Sequence, residues 1–195
     1  EYGVFYAAEH SETAVREMVF YRLLFFAESP ETPFPADPTQ YHVFKVDVAA
    51  HRAVDLTEEP LKRYAQDWTR LADYGPCQDL ADAGRAIDLQ SVTYQSVRDQ
   101  TGRKNVAIFD PAVFLGPPKQ CETWNIFLGH AGAQAIREAP RFSFDCRPAD
   151  YHDDPDDAPN GEAPVIPRER NRAQHGSRAP RRTHEEALFS SRPPA

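Results

Sequence analysis

The chain has 195 residues, the length of one domain with room for a tail. Its formal charge of -8 argues against a nucleic-acid binder, because neutralising phosphates requires a clustered basic face. Its three cysteines stand far apart with no Cys-x-x-Cys pair, which favours reduced thiols in a cytosolic protein over a disulfide scaffold or a zinc site.

Metal sites and membrane spans are not predicted either. The seven histidines form no His-x-x-x-His pair and no cluster with cysteine. The best candidate for a membrane span, residues 18–26, is too short to cross a bilayer and contains Arg22. The chain opens on Glu1 and strand character begins at once, so we expect it to start inside a domain, where targeting signals are not readable.

The first half of the chain predicts alternating strands and helices. Ser11, followed by Glu12, is predicted to cap a helix that ends where Ser29-Pro30 and further prolines follow. A second helix is predicted from apolar residues at helical spacing, before a break at Gly75-Pro76. The predicted elements are strands at residues 3–8 and 41–48 and helices at residues 11–26 and 61–74.

The second half predicts more strand than helix. Two strands joined across a polar loop that contains Gly102 are expected to form a hairpin. The predicted elements are helices at residues 78–87 and 131–138 and strands at residues 91–97, 105–109 and 124–128. Together with the first half, they predict an α+β fold with a mixed or antiparallel central sheet and helices packed around it.

The composition changes at about Cys146. An acidic block and then a basic block follow, with prolines between them, at Asp150, Asp153, Asp154, Asp156 and Asp157 and at Arg168, Arg170, Arg172, Arg178, Arg181 and Arg182. Such a stretch cannot bury enough apolar surface to offset its ordering entropy, so we predict a disordered, solvated tail rather than a recognition arm. The predicted organisation is a domain at residues 1–145 and a low-complexity tail at residues 146–195.

Glu17 is the most suggestive single residue. On a helix its nearest neighbours are Thr13, Ala14, Phe20 and Tyr21, so its carboxylate emerges from the more apolar side. A carboxylate in that setting either lines a pocket or pairs with a buried cation as a structural ion pair, and the sequence leaves both open.

A second group of polar side chains belongs to the predicted hairpin and the opening strand. Tyr94, Ser96 and Arg98 alternate along a strand and so share one face, which is unusual for a core and suits a pocket wall. Asn105 opens the next strand, and Tyr6 lies near the end of the first. The alternatives are structural: a core position for Tyr6, a backbone hydrogen bond for Ser96, a surface ion pair for Arg98 and closure of the turn by Asn105.

In order and spacing these residues resemble the RES family, the toxin components of bacterial Xre–RES toxin–antitoxin pairs. The matching pieces span about residues 3–114 and read Tyr6-Ala-Ala-x-x-x-x-Thr13-Ala14-x-x-Glu17, Tyr94-x-Ser96-Val97-Arg98 and Asn105-x-Ala107-x-Phe109. The family is named for an Arg, a Glu and a Ser, and Glu17 and Ser96 take two of those places. Tyr6 matches the tyrosine that lines the family's pocket.

Some features depart from the family pattern. The family's Arg lies on a segment upstream of the Tyr6 strand, so we expect the domain to be N-terminally incomplete and weak or inactive as given. Arg98 belongs to the serine motif and does not take that role. Gln95 stands where the family usually has Pro, and no glycine occupies its usual place between Arg85 and Tyr94.

The resemblance implies an ADP-ribosyltransferase-like fold and chemistry on NAD, which family members degrade by phosphorolysis or hydrolysis or use to modify a protein. Cleaving the nicotinamide–ribose bond builds positive charge on the ribose, which a carboxylate such as Glu17 stabilises. Ser96 would share the catalytic role by donating a hydrogen bond, and Tyr6, Arg98 and Asn105 would bind the substrate. NAD is then a substrate and phosphate a possible co-substrate, and no metal or cofactor is required.

The leading interpretation is a cytoplasmic, NAD-consuming toxin that pairs with an Xre-type antitoxin protein. It is expected to contact neither nucleic acid nor membrane directly, and an oligomer is possible. The alternatives are a non-catalytic RES-fold remnant or antitoxin-binding module without the phosphate-binding Arg, and a protein ADP-ribosyltransferase. An unrelated binding module is favoured if Tyr6, Glu17 and Ser96 lie far apart. We expect these three to converge on one concave pocket, with Glu17 substantially buried.

Overall fold

The computed structural model describes residues 3–70 and 74–151. Within them lie three α-helices, α1 (Ser11–Glu28), α2 (Ala65–Trp68) and α3 (Gly75–Ala86). Eight strands accompany the helices: β1 (Phe5–Ala8), β2 (Thr39–Lys45), β3 (Ala53–Asp55), β4 (Ser91–Gln95), β5 (Lys104–Ile108), β6 (Lys119–Gly129), β7 (Gly132–Arg137) and β8 (Phe142–Cys146).

The strands form two four-stranded sheets. The first has the order β1-β5-β4-β3 and is mixed, because β3 pairs parallel with β4 while the other pairs are antiparallel. The second has the order β2-β6-β7-β8 and is antiparallel throughout. The predicted α+β class is confirmed, with the difference that two sheets replace one central sheet.

Helix α1 contacts both sheets, through β1 and β5 of the first and β7 and β8 of the second. Its buried apolar residues Val15, Met18, Val19 and Leu23 join the main core with side chains of the second sheet, among them the fully buried Trp124. A helix with apolar side chains around most of its circumference is typical of such a central position. The opposite side of α1, which carries Glu17, is left to meet the first sheet.

A smaller core covers the β4 side of the first sheet. Val92 of β4 packs there with Leu56 and Leu89, and the partly buried Trp68 and Leu80 bring α2 and α3 against it. Helices α1 and α3 therefore both approach the first sheet, and the polar side chains of the predicted site lie where these elements meet.

The helix predicted at residues 131–138 is wrong. Gly132–Arg137 of this range form β7, which lies between β6 and β8, with Ala133 and Ala135 buried and Gln134 exposed between them. Alanines favour a helix by intrinsic propensity, but pairing on both sides outweighs that preference, and the side-chain alternation has the period of a strand.

Other predicted helices are found in the structure, but with different first or last residues. The N-cap of α1 is His10 rather than Ser11, which is the first helical residue. Gly75-Pro76 begins α3 instead of separating two helices, because proline is tolerated in the first turn. The helix predicted at residues 61–74 is found as a 3-10 turn followed by the short α2, and its residues 71–73 lie outside the described part. Strands β3 and β8 were not predicted.

Most of the predicted tail lies outside the described residues. Cys146 is the last residue of β8 and is buried, and a 3-10 turn, Pro148–Tyr151, follows it. The disorder expected from residue 152 onward stays a prediction. Within residues 3–70 and 74–151, none of the helices combines the length and the hydropathy that crossing a membrane requires.

Gly132→Ala is expected to destabilise the second sheet. Gly132 has a φ of 125°, and a Cβ at this position would collide with the carbonyl oxygen of Cys146 on β8. We expect the free energy of unfolding to fall by about 1–3 kcal/mol from backbone strain alone, measured by urea denaturation. Gly129→Ala, across the same turn, is the control, because a Cβ there meets open space. Equal stability of the two variants would contradict this account.

Candidate functional site

The site begins with the face of α1 that is turned away from the main core. Thr13, Glu17 and Tyr21 are spaced at four-residue intervals, so they lie one above another along the helix. This face meets the end of β4, the turn after it and the facing strand β5. Helical spacing on α1 and pairing of β4 with β5 therefore bring polar groups together that are more than 70 residues apart in the sequence.

The Glu17 carboxylate has one oxygen fully engaged and one more open. Ser96 Oγ donates a hydrogen bond to Glu17 Oε1 at 2.6 Å, and Asn105 Nδ2 donates to the same oxygen at 2.6 Å. The other oxygen, Oε2, lies 3.9 Å from Arg98 Nε. Because the side chain is 21% exposed, it is neither a surface group nor sealed in the core. Arg98 is thus the cation that the ion-pair interpretation of Glu17 requires, and the role of Glu17 in a ligand pocket stays a prediction.

Ser96 follows the last residue of β4 and is 2% exposed. Its hydroxyl donates a hydrogen bond to Glu17. The hydroxyl oxygen in turn accepts hydrogen bonds from the backbone N–H groups of Arg98 at 3.3 Å and Asp99 at 3.1 Å. The hydroxyl, whose single proton is used in the hydrogen bond to Glu17, therefore has none left for a ligand. Its observed contacts make Ser96 the residue that positions the carboxylate.

Arg98 is a buried cation beside Glu17. Its Nη2 donates to the Tyr74 hydroxyl at 2.8 Å, and its guanidinium lies 4.4 Å above the ring of Phe20. Its Nε is buried and makes no hydrogen bond within the described residues. Burial works against the charge, but the neighbouring Glu17 carboxylate and the hydroxyls of Tyr74 and Tyr21 raise the pKa of Arg98 above its ordinary value. The alternative of a surface ion pair for Arg98 is wrong.

Asn105 and Tyr6 reach the site from two neighbouring strands of the first sheet, β5 and β1. Asn105 lies within β5, opposite Ala8 of β1 and Tyr94 of β4, so it does not close the hairpin turn. Tyr6, two residues before Ala8, projects from the same face of the sheet. At 46% exposure, Tyr6 is not the core residue that was its alternative.

Tyrosines surround this arrangement. Burial raises the pKa of Tyr94 well above its usual value, and the charge of Glu17 and the nearby hydroxyls of Tyr6 and Tyr21 raise it further. Burial likewise raises the pKa of Tyr21, with Tyr74 as the next contributor. These phenols are therefore neutral at physiological pH, so they provide hydrogen bonds and ring faces, not nucleophiles.

A buried pair that the sequence reasoning missed holds the site together. Thr13 Oγ1 donates to Asp99 Oδ2 at 2.6 Å, which ties α1 to the turn after β4. The backbone N–H and hydroxyl of Thr101 donate to Asp99 Oδ1 at 3.1 and 2.7 Å, so the carboxylate also closes the turn that carries Ser96 and Arg98. Burial opposes ionisation here, but the hydrogen bonds from Thr13 and Thr101 lower the pKa of Asp99 below its ordinary value.

The structure thus brings Glu17, Ser96, Arg98 and Asn105 into one contact network and places Tyr6 on the adjoining sheet face. The sequence signal for Tyr21 was its position four residues after Glu17, and that for Asp99 was its position directly after the serine motif. Tyr74 had no comparable signal. In the part of the chain that the structure describes, no group of three or more His, Cys, Asp or Glu side chains is arranged to hold a metal ion.

These features define an α+β protein with a carboxylate, held by a serine and an asparagine beside a buried arginine, at the junction of a central helix and a hairpin. The chain belongs to the RES domain family, whose model matches residues 1–129. The match contains all five predicted site residues and extends through β6, while β7 and β8 lie beyond it. A comparison with curated proteins finds no match.

Proposed function

We propose that this RES-domain protein consumes NAD by cleaving the nicotinamide–ribose bond, and that it acts as the toxin of a toxin–antitoxin pair. The observation that supports this best is the Glu17 carboxylate, oriented through Oε1 by Ser96 and Asn105 with Oε2 left for a substrate. A fixed carboxylate is suited to a reaction in which positive charge develops on a ribose.

In the proposed reaction the bond from ribose C1 to the nicotinamide nitrogen breaks, and its electron pair leaves with nicotinamide. Phosphate or water forms the new bond to C1 and gives up a proton. Glu17 Oε2 stabilises the charge on the ribose or accepts a hydrogen bond from a ribose hydroxyl. Ser96 and Asn105 act by holding Glu17, and they position it without touching the reacting atoms.

Tyr6 and Arg98 are assigned to substrate binding. Tyr6 is 46% exposed and projects from the same sheet face as Asn105, a position that suits stacking on a ring of the dinucleotide. Arg98 is held by Tyr74 and Phe20 so that its positive charge lies beside Glu17. We assign no cofactor, and we propose an Xre-type antitoxin protein as the partner and the cytoplasm as the location.

The test is to incubate the full-length protein with NAD, with and without phosphate, and to identify the products by mass spectrometry. Nicotinamide with a phosphorylated ADP-ribose indicates phosphorolysis, and nicotinamide with free ADP-ribose indicates hydrolysis. A mass increase on a protein indicates the alternative enzyme, a protein ADP-ribosyltransferase. Absence of nicotinamide release under every condition would overturn the proposed activity.

One observation favours a second candidate, a non-catalytic RES-fold module that binds the antitoxin. Glu17 already has partners on both sides, in Ser96 and Asn105 at one oxygen and in Arg98 near the other. A buried carboxylate with a purely structural role needs the same kind of partners, hydrogen-bond donors and a nearby cation. Stable binding of the antitoxin by a protein that leaves NAD intact would favour this module.

A further inference from the structure

Four charged side chains of alternating sign connect the two sheets through α1. Glu12 lies in the first turn of α1, and Arg103 directly precedes β5 of the first sheet. Glu122 of β6 and Arg137 of β7 belong to the second sheet. Arg137 Nη1 donates to Glu122 Oε1 at 3.2 Å and to Glu12 Oε1 at 2.9 Å. Arg103 Nη1 donates to Glu12 Oε2 at 3.1 Å, so Glu12 is bound from both sheets at once.

Arg137 is held in place by further contacts. Its Nε donates to the carbonyl oxygen of Pro140 at 2.9 Å. Its guanidinium lies 5.5 Å from the ring centroid of Trp124 and 5.2 Å from that of Phe142, and the side chain is only 12% exposed. A lysine ammonium would keep the charge but not these contacts, because they use different N–H groups and the flat face of a guanidinium. The position is therefore specific for arginine.

The Glu12 carboxylate is suited to hold two arginines. Burial opposes its charge, but its own backbone N–H and the neighbouring Arg137 and Arg103 lower the pKa of this carboxyl below its ordinary value. Glu12 is therefore ionised at neutral pH. Because negative and positive groups alternate, each charge has an opposite charge beside it, as a partly buried ion-pair network requires.

The Arg103 end of this network contacts the hairpin that holds Glu17. The carbonyl oxygen of Arg103 accepts a hydrogen bond from the Ser96 backbone N–H at 2.9 Å. Ser96 and Asn105 are the two donors to Glu17 Oε1. Since Glu12 and Glu17 are five residues apart on one helix, α1 is joined to the same hairpin at two points. A shift of the helix at Glu12 therefore changes the geometry at Glu17, little more than one turn away.

We propose that Arg137 is a positioning residue for the Glu17 carboxylate, and that it acts through Glu12 on the hairpin that holds this carboxylate. The consequence for turnover rests on the proposed function, in which Glu17 faces the ribose. A misplacement of about 1 Å can lower a rate about 100-fold, so a support at this distance affects chemistry. Arg137 lies beyond the family match at residues 1–129, and the segment after the match thus takes part in forming the site.

The first experiment follows the side-chain amide of Asn105 by NMR, because this group donates to Glu17 at 2.6 Å. Arg137→Lys keeps the charge and loses the guanidinium, and it is expected to move the amide signal toward that of solvent-exposed amides. Arg103→Gln should move the signal likewise. Because the Arg103 side chain is 34% exposed, this variant tests the proposal even if Arg137→Lys does not fold. The matched control, Arg141→Lys, changes an exposed arginine between β7 and β8 and should leave the signal in place.

The second experiment measures NAD turnover by the same full-length variants at a temperature at which each is fully folded. Arg137→Lys is expected to lower kcat about tenfold and to change KM by less than about twofold, since the carboxylate is misplaced while the groups that bind the substrate stay. Arg141→Lys should turn over NAD as the wild type does. A network that only stabilises the fold would lower the melting temperature and leave kcat of the folded protein unchanged.

The two measurements decide between these roles. An unchanged Asn105 signal in folded Arg137→Lys and Arg103→Gln would overturn the inference. A shifted signal with an unchanged kcat would overturn it too, because the hairpin would then move without consequence for the carboxylate. If the wild type cleaves no NAD, the proposed function fails, and the NMR measurement, which needs no turnover, still decides whether Arg137 positions Glu17.

Discussion

Glu17→Gln is expected to lower NAD turnover by the full-length protein ~10²-fold or more, the effect of removing one electrostatic stabiliser. The glutamine carbonyl oxygen can still accept the hydrogen bonds that Ser96 and Asn105 donate to Oε1. Only the negative charge at Oε2 is lost, where an amide N–H₂ would then lie near Arg98. Initial rates of nicotinamide release, with toxicity in cells measured in parallel, test this prediction.

The matched control is Glu28→Gln, the same change at the exposed last residue of α1. It should leave turnover unchanged. The melting temperature of Glu17→Gln should stay close to that of the wild type, because the replacement is nearly isosteric. Turnover by Glu17→Gln at the wild-type rate would show that the carboxylate is structural and would remove it from the proposed mechanism.

Asp99→Ala is expected to cause the largest loss of stability among the polar positions of the site, about 3 kcal/mol or more by urea denaturation. Asp99 is 2% exposed and accepts hydrogen bonds from Thr13 and Thr101, and hydrogen bonds to charged groups contribute about 1.5–3 kcal/mol each. Asp82→Ala, which removes an exposed ion pair with Arg85, should cost less than about 1 kcal/mol. Similar losses in the two variants would contradict the role given to Asp99.

The contribution of Asp99 should also depend on pH. Its pKa is lower in the folded protein than its ordinary value, because the hydrogen bonds from Thr13 and Thr101 outweigh the effect of burial. The stability that it contributes is therefore complete above the unfolded pKa of about 3.9 and is lost as the pH falls through the folded pKa. The difference in unfolding free energy between wild type and Asp99→Asn should be constant near neutral pH and shrink below about pH 4. A difference that does not change with pH would argue against an ionised Asp99.

Short-range regularities in the sequence predicted much of the site. Four-residue spacing on a helix indicated the side of α1 on which Glu17 lies, and two-residue alternation indicated the face of Ser96. That the two would converge was expected from the family resemblance, and they are in direct contact. The periodicity of a helix or a strand describes that element alone. It does not reveal which side chains of two different elements come into contact. The hydrogen bond between Thr13 and Asp99 and that between Arg98 and Tyr74 depend on such meetings and were missed.

The second sheet was harder to predict for the same reason. Strand β7 contains Ala133 and Ala135, whose intrinsic preference is helical, and its identity as a strand depends on partners on both sides. Strand β8 lies where the composition begins to resemble the tail, yet Phe144 and Cys146 are buried in the main core. Local composition does not report burial that is created by distant parts of the chain.

The position of α1 has a consequence for genetic screens of this protein. One side of the helix carries Glu17, and the other is anchored in the core of the second sheet by Val15 and Val19. A substitution that loosens that core therefore shifts the carboxylate without touching any residue near it. Under the proposed function, mutants selected for loss of toxicity should fall into two groups, one around the polar network and one at apolar positions of the second sheet. Only protein abundance and melting behaviour, measured mutant by mutant, will tell the two groups apart.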